Sequence, residues 1–102
     1  MSQVASRELC KELYELSGWD GTDEQYHVGM AEYCPAYDLG YLLRKLPAKI
    51  PFSDGEITLR VEIWWAGGWY AHYGIYDWKA AIADTPEDAA CKLAIELFNR
   101  RH

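Results

Sequence analysis

The chain has 102 residues, is 50% hydrophobic and 15% aromatic, and carries a formal charge of −6. That length suits a single domain with little room for a second core, and so much apolar and aromatic content excludes a disordered chain. The acidic balance argues against non-specific affinity for nucleic acid or anionic lipid.

A first helix is predicted from a cap at Ser6 to about Ser17. Leu9, Leu13 and Leu16, with Cys10 and Tyr14, recur at helical spacing, while Glu8, Lys11, Glu12 and Glu15 take the wetter side. Gly18 supplies the stop. Trp19 to Tyr33 lacks clean periodicity and reads as a loop with a short strand around Gln25 to Val28. Between Glu12 and Leu43 there are seven acids (Glu12, Glu15, Asp20, Asp23, Glu24, Glu32, Asp38) and no Lys or Arg. Two readings of this stretch stay open: an acidic patch that attracts a basic protein groove, or solvated acids that keep an aromatic-rich domain soluble.

Cys34-Pro35-Ala36-Tyr37-Asp38 leads into a second helix capped by Asp38. Leu39, Leu42, Leu43 and Leu46 form its stripe, Gly40 permits close packing against a sheet, and Pro47 ends it. Arg44 and Lys45 suit the negative end of its dipole. Ile50 to Gly55 is a connector with a turn at Ser53-Asp54-Gly55.

The strongest strand signal follows. Ile57, Leu59, Val61, Ile63 and Trp65 alternate with Thr58, Arg60, Glu62 and Trp64, and a second strand runs from Trp69 to Tyr76. A two-residue Gly67-Gly68 turn mixes apolar and polar faces. A three-residue turn, Ala66-Gly67-Gly68, pairs Trp65 with Trp69, Ile63 with Ala71 and Val61 with Tyr73, and places Gly68 in the left-handed position. One face is then apolar, continuing into Trp69, Ala71, Tyr73 and Ile75. The other carries Thr58, Arg60, Glu62 and Trp64 with Tyr70, His72, Gly74 and Tyr76, and its aromatic content implies that it too is partly covered. A third strand, roughly Trp78 to Ala83, completes a meander.

Thr85-Pro86-Glu87-Asp88 opens the last helix with a cap, a proline and two acids. Its stripe is Ala89, Ala90, Leu93, Ala94, Leu97 and Phe98. The expected fold class is α+β: a three-stranded antiparallel sheet with helices on both faces, α-β-β-β-α with an extra N-terminal helix. Residues 1–102 then form a single α/β sandwich domain.

Little in the chain points to catalysis. Cys10, Cys34 and Cys91 are widely spaced, without a CxxC pair, and the N-terminal sequence is amphipathic and charged rather than leader-like. Free thiols in a cytosol are therefore expected. No stretch has the length or apolarity to span a membrane. Cys10 and Cys91 read as core. Cys34, beside a proline in a segment expected to be exposed, is the one thiol for which a nucleophilic role is weighed, and it would need His27 or His72 close by. No zinc-ligand spacing, phosphate loop, dinucleotide fingerprint or nucleophile elbow occurs, so no metal or cofactor is expected. Arg60, Glu62, Trp64, Tyr70, His72 and Tyr76 share a sheet face. They can form a small-ligand or nucleotide site or be cross-strand pairs beneath a helix.

Two segments carry a resemblance, Tyr33 to Pro47 (YCPAYDLGYLLRKLP) and Ile82 to Ala94 (IADTPEDAACKLA). They resemble small uncharacterised proteins of tailed phages and prophages with the phage ABA sandwich domain. That resemblance covers about two thirds of the chain, from Tyr33 onward, and implies a helix–sheet–helix layering, a phage origin and the host cytoplasm. It transfers no catalytic residue. The function expected is that of a non-catalytic phage accessory protein binding and modulating a host protein, such as a defence component. Glu12, Glu15, Asp20, Asp23 and Glu24 are its candidate partner-binding residues. A ligand-sequestering module and a structural or self-associating protein, with a homodimer in view, are the alternatives.

Overall fold

The computed structural model describes residues 3–27, 32–52, 55–73 and 80–99. Its elements in chain order are α1 (Arg7–Ser17), β1 (Glu24–His27), β2 (Tyr33–Ala36), α2 (Leu39–Lys45), β3 (Lys49–Phe52), β4 (Gly55–Ile63), β5 (Trp69–Tyr73), β6 (Ala80–Ala83) and α3 (Pro86–Asn99). Two antiparallel sheets result, a β1-β2 pair and a four-stranded meander in the order β3-β4-β5-β6.

The helices begin and end where local chemistry directs. Asp38 accepts the Tyr41 N–H at 2.7 Å, and Thr85 Oγ1 accepts the Asp88 N–H at 3.1 Å, so α2 and α3 are capped by side chains. Ser6 stands at the cap of α1, but its side chain makes no capping bond. Its backbone N–H donates instead to Asp88 Oδ1 at 2.7 Å, which ties the start of α1 to the first turn of α3. The Gly18 N–H closes α1 on the Tyr14 carbonyl at 2.8 Å.

The expected three-stranded sheet between two helical layers is not what forms. Lys49 to Phe52, which takes in the first part of the expected Ile50 to Gly55 connector, is the fourth strand: Ile50 lies opposite Ile57, and Phe52 opposite Gly55. Ser53 and Asp54 of the expected turn lie outside the described residues, as do Gly74 to Lys79. Cys34 to Ala36, read as a lead-in, belongs to β2 and pairs with β1, Tyr26 opposite Cys34. Pro35 is tolerated because this two-stranded sheet consists only of edges.

The order of layers differs as well. One side of α3 (Ala89, Leu93, Leu97) packs on Ala71, Tyr73, Leu59, Val61 and Trp69 of the meander. Its other side (Ala90, Cys91, Ala94, Ile95) packs on Cys10 and Leu13 of α1, Tyr41 and Leu42 of α2, and Cys34 of β2. The helix, not the sheet, is therefore the middle layer. Ala89, Ala90, Cys91, Leu93 and Ala94 are essentially inaccessible, and the small residues among them let neighbours approach from both sides. Among the described residues α1 packs against α3 and β2, α2 packs against α3, and no helix covers the second face of the meander. Gly40, expected against a sheet, is exposed, and a Cβ there would meet only Asp38 Oδ1 and Arg44 Nη1 at ordinary contact distances.

Tyrosine hydroxyls brace the first half of the chain. Tyr37 donates to the Trp19 carbonyl at 2.7 Å, Tyr41 to the Asp20 carbonyl at 2.5 Å and Tyr26 to the Ala5 carbonyl at 2.8 Å. Burial pushes the Tyr37 hydroxyl well above the ordinary phenol range, opposed by a smaller lowering from a Ser17 hydrogen bond and reinforced by nearby Tyr41. Tyr73, donating to the Pro47 carbonyl at 2.7 Å, is pushed up to about 12 by burial. These rings supply apolar volume and a donor at once, which suits a small core built from aromatics.

Candidate functional site

The β4–β5 hairpin positions the polar and aromatic cluster. Ile63 lies opposite Trp69, Val61 opposite Ala71, Leu59 opposite Tyr73, Glu62 opposite Tyr70 and Arg60 opposite His72. The loop has three residues, but they are Trp65, Ala66 and Gly67, one position earlier than expected. The Trp64 N–H donates to the Gly68 carbonyl and the Gly67 N–H to the Trp64 carbonyl, both at 2.9 Å. Moving the loop by one residue slips the pairing by two, and two is the side-chain period, so the face assignments survive the slip. Gly67 and Gly68 both take positive φ, 105° and 92°. At Gly68 a Cβ would also fall 2.5 Å from the Ala83 carbonyl oxygen, so a glycine is needed there for space as well as for conformation.

On the second face, His72 Nε2 lies 2.9 Å from Glu62 Oε2, and Arg60 Nη1 lies 3.7 Å from Glu62 Oε1. The His72 hydrogen bond, followed by the charges of His72 and Arg60, holds the Glu62 carboxyl below its ordinary range. The Tyr70 ring stacks on His72 with centroids 4.2 Å apart and planes 20° apart, and Trp64 leans on Tyr70 at 4.9 Å. His72 is 6% exposed, while Arg60 and Glu62 are exposed. Five of the six sequence-derived ligand candidates thus form one connected ladder, and Tyr76 lies outside the described residues. The ladder's polar groups and rings already engage one another, as cross-strand pairs do.

The acidic candidates are spread over several elements. Glu12 and Glu15 are exposed on α1, Asp20 and Asp23 are exposed in the loop after it, and Glu24 is half-buried at the start of β1. Among the described residues no Lys or Arg forms an ion pair with any of them. Asp20 Oδ1 accepts the Gly21 N–H at 2.7 Å.

The expectation that Cys34 sits in an exposed segment is overturned: it is 2% exposed, because β2 packs its side chain into the core shared by α1, α2 and α3. Burial pushes its thiol up, away from the reactive thiolate form. Cys10 and Cys91 are buried with it. Hydrogen bonding to Cys10, and then burial, hold Cys91 protonated. His27 packs against Tyr33 at 4.3 Å, and His72 is held by Glu62. Among the described residues no group of three or more His, Cys, Asp or Glu could hold a metal ion.

Sequence reasoning missed the hairpin tip. Ile63 and Trp65, both assigned to the core face, are 75% and 86% exposed. On the same face Leu59, Val61 and Trp69 pack against α3, whereas Ile63 and Trp65 are not among the side chains of that cluster.

Compared with known proteins, the chain matches no protein-family model, no curated protein and no solved structure. Among the described residues no helix is long and apolar enough to cross a membrane.

Proposed function

We propose that this is a non-catalytic accessory domain that acts by binding another protein, and that the tip of the β4–β5 hairpin is its docking surface. The exposure of Trp65 beside Ile63 carries this reading. A small domain that needs apolar area for its core leaves a tryptophan on a tight turn and an isoleucine at the end of the adjoining strand largely in water. Trp is the residue type most enriched at binding hot spots, and a hairpin loop presents it at low entropic cost. The phage origin, the host protein as partner and the host cytoplasm rest on the two resembling segments alone.

Affinity capture from bacterial lysate tests the docking surface. Ile63→Ser with Trp65→Ser is compared against charge reversal of Glu12, Glu15, Asp23 and Glu24. The tip variant is expected to lose the captured protein while keeping the parent's circular dichroism. Full capture by the tip variant overturns the assignment, and loss only on charge reversal moves the docking surface to the acids. A small-ligand role for the ladder has less support, because His72 and Glu62 already satisfy each other. It predicts a Trp fluorescence change on nucleotide addition.

A further inference from the structure

The chemistry of the hairpin tip narrows what can dock on it. From Ile63 to Ala71 the chain carries no Asp, Glu, Lys or Arg. A phosphorylated or strongly charged motif therefore meets no opposite charge within the tip. The turn closes on its own backbone, the Trp64 N–H donating to the Gly68 carbonyl and the Gly67 N–H to the Trp64 carbonyl. It presents no ladder for an added strand. With Trp65, Ala66 and Gly67 all exposed, it presents no groove for a helix either.

Area weighs against a second copy of the chain. A Trp side chain contributes about 150–250 Å², whereas a stable interface buries about 800 Å² on each partner. Trp65 and Ile63 supply only a part of that.

The tip does present rings in series. Trp65 stands 5.8 Å from Trp64 with planes 45° apart, and Trp64 stands 4.9 Å from Tyr70 with planes 43° apart. Trp65 is exposed, Trp64 is half-buried, and Tyr70, itself stacked on His72, backs Trp64 from β5. Rings tilted in this way leave a valley between them that suits a compact apolar ring. A polyproline II segment carries such rings on a backbone without internal hydrogen bonds. It arrives already ordered, so a small, uncharged aromatic surface is enough to hold it.

Resting on the reading of the tip as the docking surface, we propose that its partner is a proline-rich segment in the polyproline II conformation, seated across Trp65 and Trp64. Trp65 supplies the open stacking face, and Trp64, held against Tyr70, supplies the fixed wall beside it.

The test adds capped decaproline to the full-length, isotope-labelled protein, with a capped Gly-Ser peptide of equal length as the flexible control. Decaproline is expected to shift the Trp64 and Trp65 indole N–H resonances saturably, and the Gly-Ser peptide is expected not to. The affinity should be nearly the same at low and high salt, since no charge takes part. Trp65→Ala should weaken binding roughly tenfold or more, the scale of a hot spot, while keeping the parent's circular dichroism. Glu12→Lys should leave it unchanged. Lysate capture through the tip without decaproline binding would overturn this proposal and leave the docking surface standing. Indole shifts with phosphatidylcholine vesicles but not with decaproline would overturn it in favour of a lipid surface. Dimerisation abolished by Trp65→Ala would overturn it in favour of a second copy.

Discussion

The two turn glycines make different demands, and substituting each by alanine separates them. At Gly67, φ is 105° and no atom lies within 4 Å of the place a Cβ would take, so Gly67→Ala meets only the backbone penalty. That penalty is about 1–2 kcal/mol, partly offset by about 0.4–1 kcal/mol from the stiffer unfolded chain. At Gly68, φ is 92° and the new Cβ lies 2.5 Å from the Ala83 carbonyl oxygen and 3.4 Å from its carbonyl carbon. Both contacts are backbone, so no side chain can swing aside, and β6 must move away from β5. Such overpacking adds about 1–3 kcal/mol to the conformational cost. Gly68→Ala is therefore expected to destabilise by about 2–4 kcal/mol, against about 1 kcal/mol for Gly67→Ala. A domain of this size has only ~5–15 kcal/mol in total. Urea unfolding followed by tryptophan fluorescence measures both. An equal loss for the two variants, or a larger one for Gly67→Ala, would refute the reasoning, because it would mean that β6 does not press on the turn.

Further perturbations probe the layers and the ladder. Leu93→Ala, which removes an inaccessible side chain between α3 and the meander, should cost about 2–5 kcal/mol in the same assay. Ala90→Leu, on the opposite side of α3, should cost about 1–3 kcal/mol; tolerance there would mean that α3 is not packed on both sides. Glu62 has a folded-state pKa below its unfolded one, so its contribution is present above the ordinary carboxylate value and is lost as pH falls through the depressed folded value. The stability difference between the parent and Glu62→Gln should therefore shrink as pH falls below about 4, as equilibrium unfolding across the acid range would show. Asp88→Ala removes the acceptor of the Ser6 N–H and should cost about 1–2 kcal/mol, with faster hydrogen exchange at Ser6 as its local signature.

What the sequence alone determined is local. Helix starts are set by which side chain can reach the first free N–H groups, which is why the caps at Asp38 and Thr85 are legible without a structure. The two faces of the β4–β5 hairpin are legible because side chains alternate with period two, a pattern that a two-residue slip leaves intact. Periodicity shows that an apolar stripe exists but not what covers it, and the layer order turned on that. The stripe of α3 is plain in the sequence, yet its second buried side, Ala90, Cys91 and Ala94, acquires meaning only when α1, α2 and β2 close over it. Lys49 to Phe52 and Tyr33 to Ala36 are too short to announce themselves as strands and become so by pairing with β4 and β1. The tip followed the same logic: Ile63 and Trp65 belong to the apolar face by alternation, and only the tertiary packing, which sets Leu59, Val61 and Trp69 against α3 but not these two, left them in water.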